Sequence, residues 1–207
     1  MKLVRRTALA AALGLMIPGA AWAAAPAPVA VVMTTDAGVV ELELYPDKAP
    51  ITAANFLRYV DEGRYAGAQF YRVVRAGTDP NPNAPIQVIQ GGIDSDAHRG
   101  QMLAPIAHET TAMTGISHTD GVISMARDGP GTATSEFFIT LGDNASLDAG
   151  GKRNPDGAGY AAFGRVTNGM EVVRAIQASP SNAPTPERIV RGQILEKPVA
   201  ILSVKRK

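Results

Sequence analysis

Residues 121–141 of this chain read GVISMARDGPGTATSEFFITL and contain two short apolar runs. GVISMA and SEFFITL are built from β-branched, aromatic and other apolar residues, and each predicts a strand. Side chains alternate between the two faces of a strand, which places Glu136 and Phe138 on one face and Phe137 on the other. Because each face carries a large aromatic side chain, we expect both to be at least partly covered. A carboxylate beside Phe138 then indicates a face open to water, a cationic partner, or the wall of a binding groove.

Further extended runs lie on both sides of this stretch. Alternation in QFYRVV places Phe70, Arg72 and Val74 on one face of its strand. The other runs that predict strands are VAVVMTT, VVELEL, IQVIQGG, YAAFGRV and KPVAILSVKR. Because most contacts join strands and a closed barrel leaves no open sheet edge, we predict a mainly β fold, a closed eight-stranded antiparallel barrel capped by two α-helices.

Two segments change to a helical period. Residues 47–65 carry apolar side chains at helical spacing, with Pro50 suited to a first turn and Gly63 to a stop. The second helix is predicted for GMEVVRAIQA, residues 169–178. Proline- and glycine-rich segments between these elements predict long loops, among them residues 75–86.

The composition indicates one domain with a substantial core. The chain has 207 residues, of which 45% are hydrophobic, and a net charge of +1. That charge gives no case for a nucleic-acid partner, and the basic ending VKRK predicts a solvated tail. The chain has no cysteine and therefore no disulfide, so an exported form depends on its packed core alone.

The N-terminus has the three-part layout of a secretory signal peptide. Basic residues precede an apolar run from Ala8 to Ile17, which is short for a membrane span of about 20 residues. We therefore predict a signal peptide over residues 1–23 with cleavage after Ala23, a short linker over 24–30 and a domain over 31–207. This layout predicts a periplasmic protein that does not contact the membrane after cleavage.

Three polar residues lie within apolar strands, namely Arg72, Gln90 and Glu136. An arginine between Tyr71 and Val73 needs a partner or an opening to water. One interpretation is a buried arginine–glutamate pair that closes one end of the barrel. The other is a functional groove.

Several motifs in a fixed order carry a resemblance to a known family. FYRVV, VIQGG, GVISMARDGPGTATSEFFITL, NASLD and YAAFGRVTNGMEVV resemble the cyclophilin-type peptidyl-prolyl isomerases, and VELELYPDKAPITAANF is similar to that family's first strand and helix. The resemblance runs from about Val31 to Val204 and is greatest for the bacterial periplasmic members. It implies an eight-stranded barrel with a packed interior and a substrate groove on its outer face.

The resemblance implies catalysis of X–Pro isomerisation by Arg72, with no nucleophile, metal or cofactor. It also assigns positions around the substrate. Gln90 matches a residue that orients the arginine, Ala126 one whose backbone aligns the residue before proline, and Tyr160 one whose hydroxyl can reach the peptide. The full set of predicted substrate-binding residues is Val88, Gln90, Ala126, Glu136, Phe138, Leu147 and Tyr160, with Phe138 as the floor and Leu147 as a wall of the proline pocket.

The chain departs from the family pattern at several of these positions. Glu136 stands where the family usually has glutamine, and we expect it to form an ion pair with Arg72. Ser146 replaces the tryptophan of cyclosporin-sensitive members. Arg127 and Asp128 replace small or polar residues, so the subsite before proline is expected to prefer charged residues. The long loop 75–86 is expected to rim the groove. In the family an apolar pair lines the proline pocket, and counting back from Gln90 places Gln87 and Val88 at these two positions. Of the two, Val88 is the better candidate for a lining residue.

Other functions are weighed against this one. His98, His108 and His118 are interpreted as solvated loop residues rather than metal ligands, and no G-x-S-x-G motif indicates a hydrolase. The serious alternative is a module that binds proline-containing segments with little turnover, as a chaperone. In either case the expected partners are proline-containing polypeptides and unfolded exported proteins, and the protein is expected to be a monomer.

Overall fold

The computed structural model describes residues 26–93 and 99–207. The predicted signal peptide and the acidic segment DSDAH, which includes His98, lie outside the described residues. Eight antiparallel strands close a barrel in the order β1-β2-β7-β5-β6-β4-β3-β8, which confirms the predicted fold. The strands are β1 Val29–Thr35, β2 Gly38–Leu44, β3 Gln69–Val74, β4 Val88–Gly92, β5 Val122–Met125, β6 Phe137–Thr140, β7 Ala161–Asn168 and β8 Ile194–Arg206.

Helices pack against the barrel, and their buried side chains join its core. Helix α1, Pro50–Asp61, packs against β7 and β8, and α3, Met170–Ala178, packs against β2, β3 and β4. A third helix, α2, covers only Thr111–Thr114, and is too short for its period to be visible in the sequence. Short 3₁₀ turns cover Arg99–Gln101, Ala145–Leu147 and Arg188–Val190. In the described part of the chain no helix has the length and apolar character needed to cross a membrane.

The first turn of α1 is fixed by a residue that is distant in sequence. Ala49 precedes the helix and supplies no side-chain cap, while Pro50 occupies its first turn. The buried carboxylate of Glu109 accepts hydrogen bonds from the backbone N–H groups of Ile51 at 3.1 Å and Thr52 at 2.7 Å. Two N–H groups that the helix itself leaves unpaired are thereby satisfied, and the negative charge favours this end of the helix dipole.

Aromatic side chains fill the barrel interior. The ring centroid of Phe56 on α1 lies 5.0 Å from that of Tyr65 and 5.2 Å from that of Phe163. Phe137 meets Phe56 edge to face at 5.5 Å and Phe70 at 5.7 Å. These fully buried rings make the interior a packed core, so a ligand site lies elsewhere on the barrel.

Strand β3 departs from the predicted alternation. Its pairing with β4 shifts register between Phe70 and Arg72, which makes Tyr71 the extra residue of a β-bulge. Its pairing with β8 is interrupted at the same place, but there the extra residues lie in β8, between Ile194 and Val199. Phe70 and Val73 lie in the core, whereas Val74 packs in a separate outer cluster and Arg72 lines an outer cavity. The prediction that Phe70 shares a face with Arg72 and Val74 is therefore wrong, because the bulge adds one residue between them.

Candidate active site

A cavity of about 800 Å³, hereafter the groove, lies on the outer face of strands β3 to β6. Its residues point away from the core, since their neighbours along each strand, such as Phe137 and Ile89, are buried inside the barrel. All eight residues predicted from the sequence line it: Arg72, Val88, Gln90, Ala126, Glu136, Phe138, Leu147 and Tyr160.

Strand pairing places the central residues of the groove in one row. Ser124 on β5 is opposite Phe138 on β6, and Phe138 is opposite Gln90 on β4. Gln90 is in turn opposite Arg72 on β3, and Arg72 is opposite Ile194 on β8. The row therefore crosses five neighbouring strands from the Ala126 side to the start of β8.

The guanidinium of Arg72 is held by two glutamines. Its Nη1 donates a hydrogen bond of 2.9 Å to Oε1 of Gln90. Its Nε and Nη2 both donate to Oε1 of Gln193, at 2.9 and 2.6 Å. Gln193 is fully buried and donates from Nε2 to the backbone oxygen of Thr78 at 2.7 Å, which fixes its orientation. The direction of the arginine fork is thus set from both sides.

Glu136 does not pair with Arg72, so the expected ion pair is wrong. Its Oε2 accepts hydrogen bonds from the Tyr71 hydroxyl at 2.7 Å and from Nε2 of Gln90 at 2.8 Å. Because an ionised carboxylate only accepts, Glu136 turns the amide of Gln90 so that its oxygen faces Arg72. Gln90 Nε2 also donates to the Tyr71 hydroxyl at 2.8 Å. Glu136 acts on the arginine through Gln90.

Burial changes the proton affinities of this network. Burial raises the pKa of the Tyr71 hydroxyl well above its ordinary value, and the charge of Glu136 raises it further, so Tyr71 stays a donor. Burial lowers the pKa of Arg72, with a further contribution from the charge of Arg153. The ordinary pKa of arginine lies so far above neutrality that Arg72 remains charged. Among the described residues, no carboxylate forms a salt bridge with it.

An apolar pocket lies beside the arginine. Phe138 forms its floor, and the ring of Tyr160 meets Phe138 edge to face with centroids 5.3 Å apart. The other buried members of this cluster are Val74, Ile86, Val88 and Leu147. Ile86 takes the place predicted for Gln87, whose side chain is exposed. The prediction paired Val88 with its direct neighbour Gln87. Because side chains alternate along extended chain, Ile86 rather than Gln87 shares the face of Val88 and Gln90.

His118 supports the pocket floor from behind. The prediction of a solvated residue is wrong for His118, because it is buried. Its ring stacks on Phe138 at a centroid distance of 5.8 Å, and its nitrogens contact Asp148 at 2.7 Å and Ser124 at 3.0 Å. His108 contacts the backbone oxygen of Ala158 at 3.3 Å. Within residues 26–93 and 99–207, no three His, Asp or Glu side chains are grouped as metal ligands.

The rim of the groove is formed by two loops, and a buried ion pair joins them. Nη1 of Arg153 contacts both carboxylate oxygens of Asp79 at 2.8 Å, with the Asp79 side chain only 1% exposed. Asp79 also accepts from the backbone N–H groups of Asn81 and Ile86. The long loop 75–86 is thereby fastened to the loop 150–159, and its residues Pro80 and Asn81 line the groove as expected.

Arg127 stabilises the second rim loop. Its guanidinium binds both carboxylate oxygens of Asp156, at 2.8 and 2.9 Å, and donates to the backbone oxygen of Gly159. It also lies 5.0 Å from the ring centroid of Tyr160. Arg127 and the more exposed Asp128 both line the groove, and the preference for charged residues before proline stays a prediction.

Comparison with known proteins agrees with this geometry. Residues 30–205 match the family model described as cyclophilin type peptidyl-prolyl cis-trans isomerase. The chain belongs to the cyclophilin family. Its activity is therefore peptidyl-prolyl cis–trans isomerisation.

Named relatives cover most of this cyclophilin. It is 40% identical over 176 residues to a peptidyl-prolyl cis-trans isomerase of Acinetobacter baylyi, covering 84% of each chain. It is 38% identical over 176 residues to peptidyl-prolyl cis-trans isomerase A of Dickeya dadantii, covering 84% of this chain and 83% of the relative. A Cryptosporidium parvum cyclophilin-type isomerase, solved in the presence of the dipeptide Ala-Pro, has a TM-score of 0.65 at 20% identity, covering 86% of this chain and 98% of its own. That structure supports the fold.

The sequence missed three residues of the site. Gln193 is separated from Arg72 by 121 positions and directly precedes β8, so no local pattern connects the two. Tyr71 was expected on the opposite face from Arg72, and only the bulge brings its hydroxyl to Gln90. Ile86 could have been found by extending the alternation of Val88 and Gln90 by one step.

Proposed function

We propose that this cyclophilin isomerises X–Pro bonds by directing the charge of Arg72 at the twisted amide of a proline bound on Phe138. The observation that carries this proposal is the clamp on Arg72 by Gln90 and Gln193, beside an apolar pocket. Phe138, Ile86, Val88 and Leu147 provide a surface that fits a proline ring.

The chemistry follows from the amide bond. Rotation about X–Pro has a barrier of about 18–20 kcal/mol because twisting removes amide resonance. In the twisted state the proline nitrogen becomes pyramidal and basic, so it can accept a hydrogen bond that the planar amide cannot. A fixed cation at that nitrogen binds the twisted state better than either planar isomer, which is the condition for catalysis.

The hydrogen bonds of Arg72 leave donors for this task. A guanidinium carries five N–H donors. Within the described residues, three of them are used by Gln90 and Gln193. One N–H on each terminal nitrogen is left for a substrate. Arg72 is oriented by neutral amides and therefore keeps its positive charge for the reacting amide.

The cellular role is the folding of exported proteins. This part of the proposal is supported by the signal-peptide pattern of residues 1–23, which predicts a periplasmic protein. Uncatalysed proline isomerisation takes about 10–100 s and delays folding. The substrates are proline-containing segments of unfolded exported chains, and the enzyme acts as a monomer.

The test is isomer exchange on an Ala-Pro peptide, followed by NMR exchange spectroscopy. We expect the wild type to accelerate exchange by several orders of magnitude, and both Arg72→Ala and Arg72→Lys to lose most of it, because lysine cannot present the same fork. Arg58→Ala is the control, because Arg58 is an exposed residue of α1 outside the groove.

The alternative function makes a different prediction for the same experiment. A proline-binding module with little turnover would shift the peptide resonances on binding and leave exchange near the uncatalysed rate. Wild type that binds without acceleration, or Arg72→Ala that retains full acceleration, would contradict the proposed role of Arg72.

A further inference from the structure

We infer that the turn formed by residues 187–193 is a second subsite, which binds an apolar side chain four or five residues after the proline. This inference rests on the proposed function and names a substrate preference of the same groove. It concerns the end of the groove beyond Arg72, where Glu187, Ile189 and Val190 line the cavity.

The row of strands gives the direction of the bound peptide. Ser124 on β5 begins the row, with Ala126 two residues further along the chain and level with Glu136, and β8 with the 187–193 turn lies at the other end. If the residue before proline aligns with Ala126, the residues after proline must run past Arg72 towards β8. Four strand spacings of about 4.8 Å make the row about 19 Å long, which an extended peptide spans in about six residues at about 3.3 Å each.

Ile189 is the apolar side chain at this far end. It is 66% exposed. The described chain has four other exposed large hydrophobic residues, Val39, Ile51, Met113 and Leu202, and none of these four lines the groove. Exposed single hydrophobic residues are common, but Ile189 lies beside the half-buried Val190, and both line the same groove as Arg72 and Phe138. The occupant that this shared groove indicates is the substrate itself.

The turn holds Ile189 in a defined place. The N–H of Gln193 donates to the oxygen of Val190 at 3.0 Å, and the N–H of Val73 donates to the oxygen of Gln193 at 2.8 Å. Gly192 has a φ of +75°, in the left-handed region that favours glycine. The same turn therefore clamps Arg72 through Gln193 and presents Ile189 to the groove. A substrate residue bound there is positioned relative to the catalytic guanidinium.

Two peptides test the subsite, acetyl-Ala-Ala-Pro-Gly-Ser-Ser-Leu-Leu and acetyl-Ala-Ala-Pro-Gly-Ser-Ser-Ser-Ser, which differ at the fourth and fifth residues after the proline. We expect wild-type kcat/KM, measured by NMR exchange, to favour the leucine peptide by about three- to tenfold, from partial burial of one apolar side chain. Ile189→Ser should reduce this ratio to about one, and Ile189→Leu should retain it. Leu202→Ser is the matched control, because Leu202 is 56% exposed on β8 but does not line the groove.

The outcomes separate this inference from the proposed function. Equal turnover of both peptides by the wild type, or an unchanged preference in Ile189→Ser, would overturn the subsite while leaving the role of Arg72 intact. Acceleration of neither peptide would overturn the proposed function and the subsite with it. A preference lost equally in Leu202→Ser would show that it does not arise at Ile189.

Discussion

Gln193 accepts two hydrogen bonds from Arg72 on a single oxygen, one from Nε at 2.9 Å and one from Nη2 at 2.6 Å. The glutamine is itself fixed by its bond to the backbone oxygen of Thr78. The arginine is therefore positioned by a residue that does not line the groove.

Removal of this acceptor should misdirect the arginine without removing its charge. We expect Gln193→Leu to lower kcat about tenfold or more, since misplacing a reacting group by about 1 Å can cost that much, with a smaller change in KM. The Nε–H signal of Arg72 in the ¹⁵N spectrum should also shift and exchange faster with water. Gln87→Leu is the control, because the Gln87 side chain is exposed. A loss of kcat with an unchanged Arg72 signal would argue against positioning.

The negative charge of Glu136 should contribute little to kcat/KM, although the residue lies in the groove. Glu136→Gln retains an acceptor for Tyr71 and for Gln90, so we expect kcat/KM to change by less than about threefold. Gln90→Leu removes the partner of Arg72 itself and should cost about tenfold or more. A large loss in Glu136→Gln, as great as that in Gln90→Leu, would mean that the negative charge acts directly on the reaction.

Cyclosporin should inhibit this cyclophilin weakly. Ser146 stands where cyclosporin-sensitive members carry tryptophan, and its hydroxyl only approaches the backbone oxygen of Pro85 at 3.4 Å. A serine offers neither the apolar area nor the N–H of an indole. We expect Ser146→Trp to lower the inhibition constant about tenfold or more, which inhibition of NMR exchange would measure. Tight inhibition of the wild type would contradict the prediction.

The ion pair between Asp79 and Arg153 should make the rim sensitive to acid. Burial raises the pKa of Asp79, but the bonds from Arg153 and from the backbone of Asn81 and Ile86 outweigh it, so the pKa lies below its ordinary value of 3.8. A carboxylate with a lowered pKa stabilises the fold above its unfolded pKa, and this contribution is lost as the pH falls below about 4 through the folded pKa.

Substitution of Asp79 measures how much this ion pair contributes to stability. We expect Asp79→Ala to lower the free energy of unfolding by about 3 kcal/mol in urea at pH 7, since it leaves Arg153 without its buried partner. Asp61→Ala removes the exposed pair with Arg206, both side chains being nearly half exposed, and should cost less than about 1 kcal/mol. Equal losses in the two variants would show that the rim pair adds no stability from its burial.

The barrel could be predicted because its signals are local. Phe137 and Phe138 are adjacent and large, so alternation alone assigns one to the core and the other to a second apolar surface, as the structure has them. The positions of Pro50 and Gly63 likewise marked helix α1. These features depend on residues within a few positions of each other.

The arrangement around Arg72 could not be predicted because its signals are distant. The partner expected from charge was Glu136, yet neutral Gln193 takes the place, 121 positions away. Charge complementarity does not decide this contact, because Tyr71 and Gln90 already supply hydrogen bonds to the carboxylate of Glu136. The bonds of Arg127 to Asp156 and to a backbone carbonyl likewise join residues that are distant in the sequence.

The bulge at Tyr71 lets strand β3 present an additional side chain at the site without changing the directions of its neighbours. Deletion of Tyr71 would leave a regular strand, with Phe70 inward, Arg72 outward and Val73 inward, which are the directions that the structure already has. The bulge is therefore not what aims the arginine. It places a second, adjacent polar group where Gln90 can reach both, although neighbours on a regular strand face opposite ways.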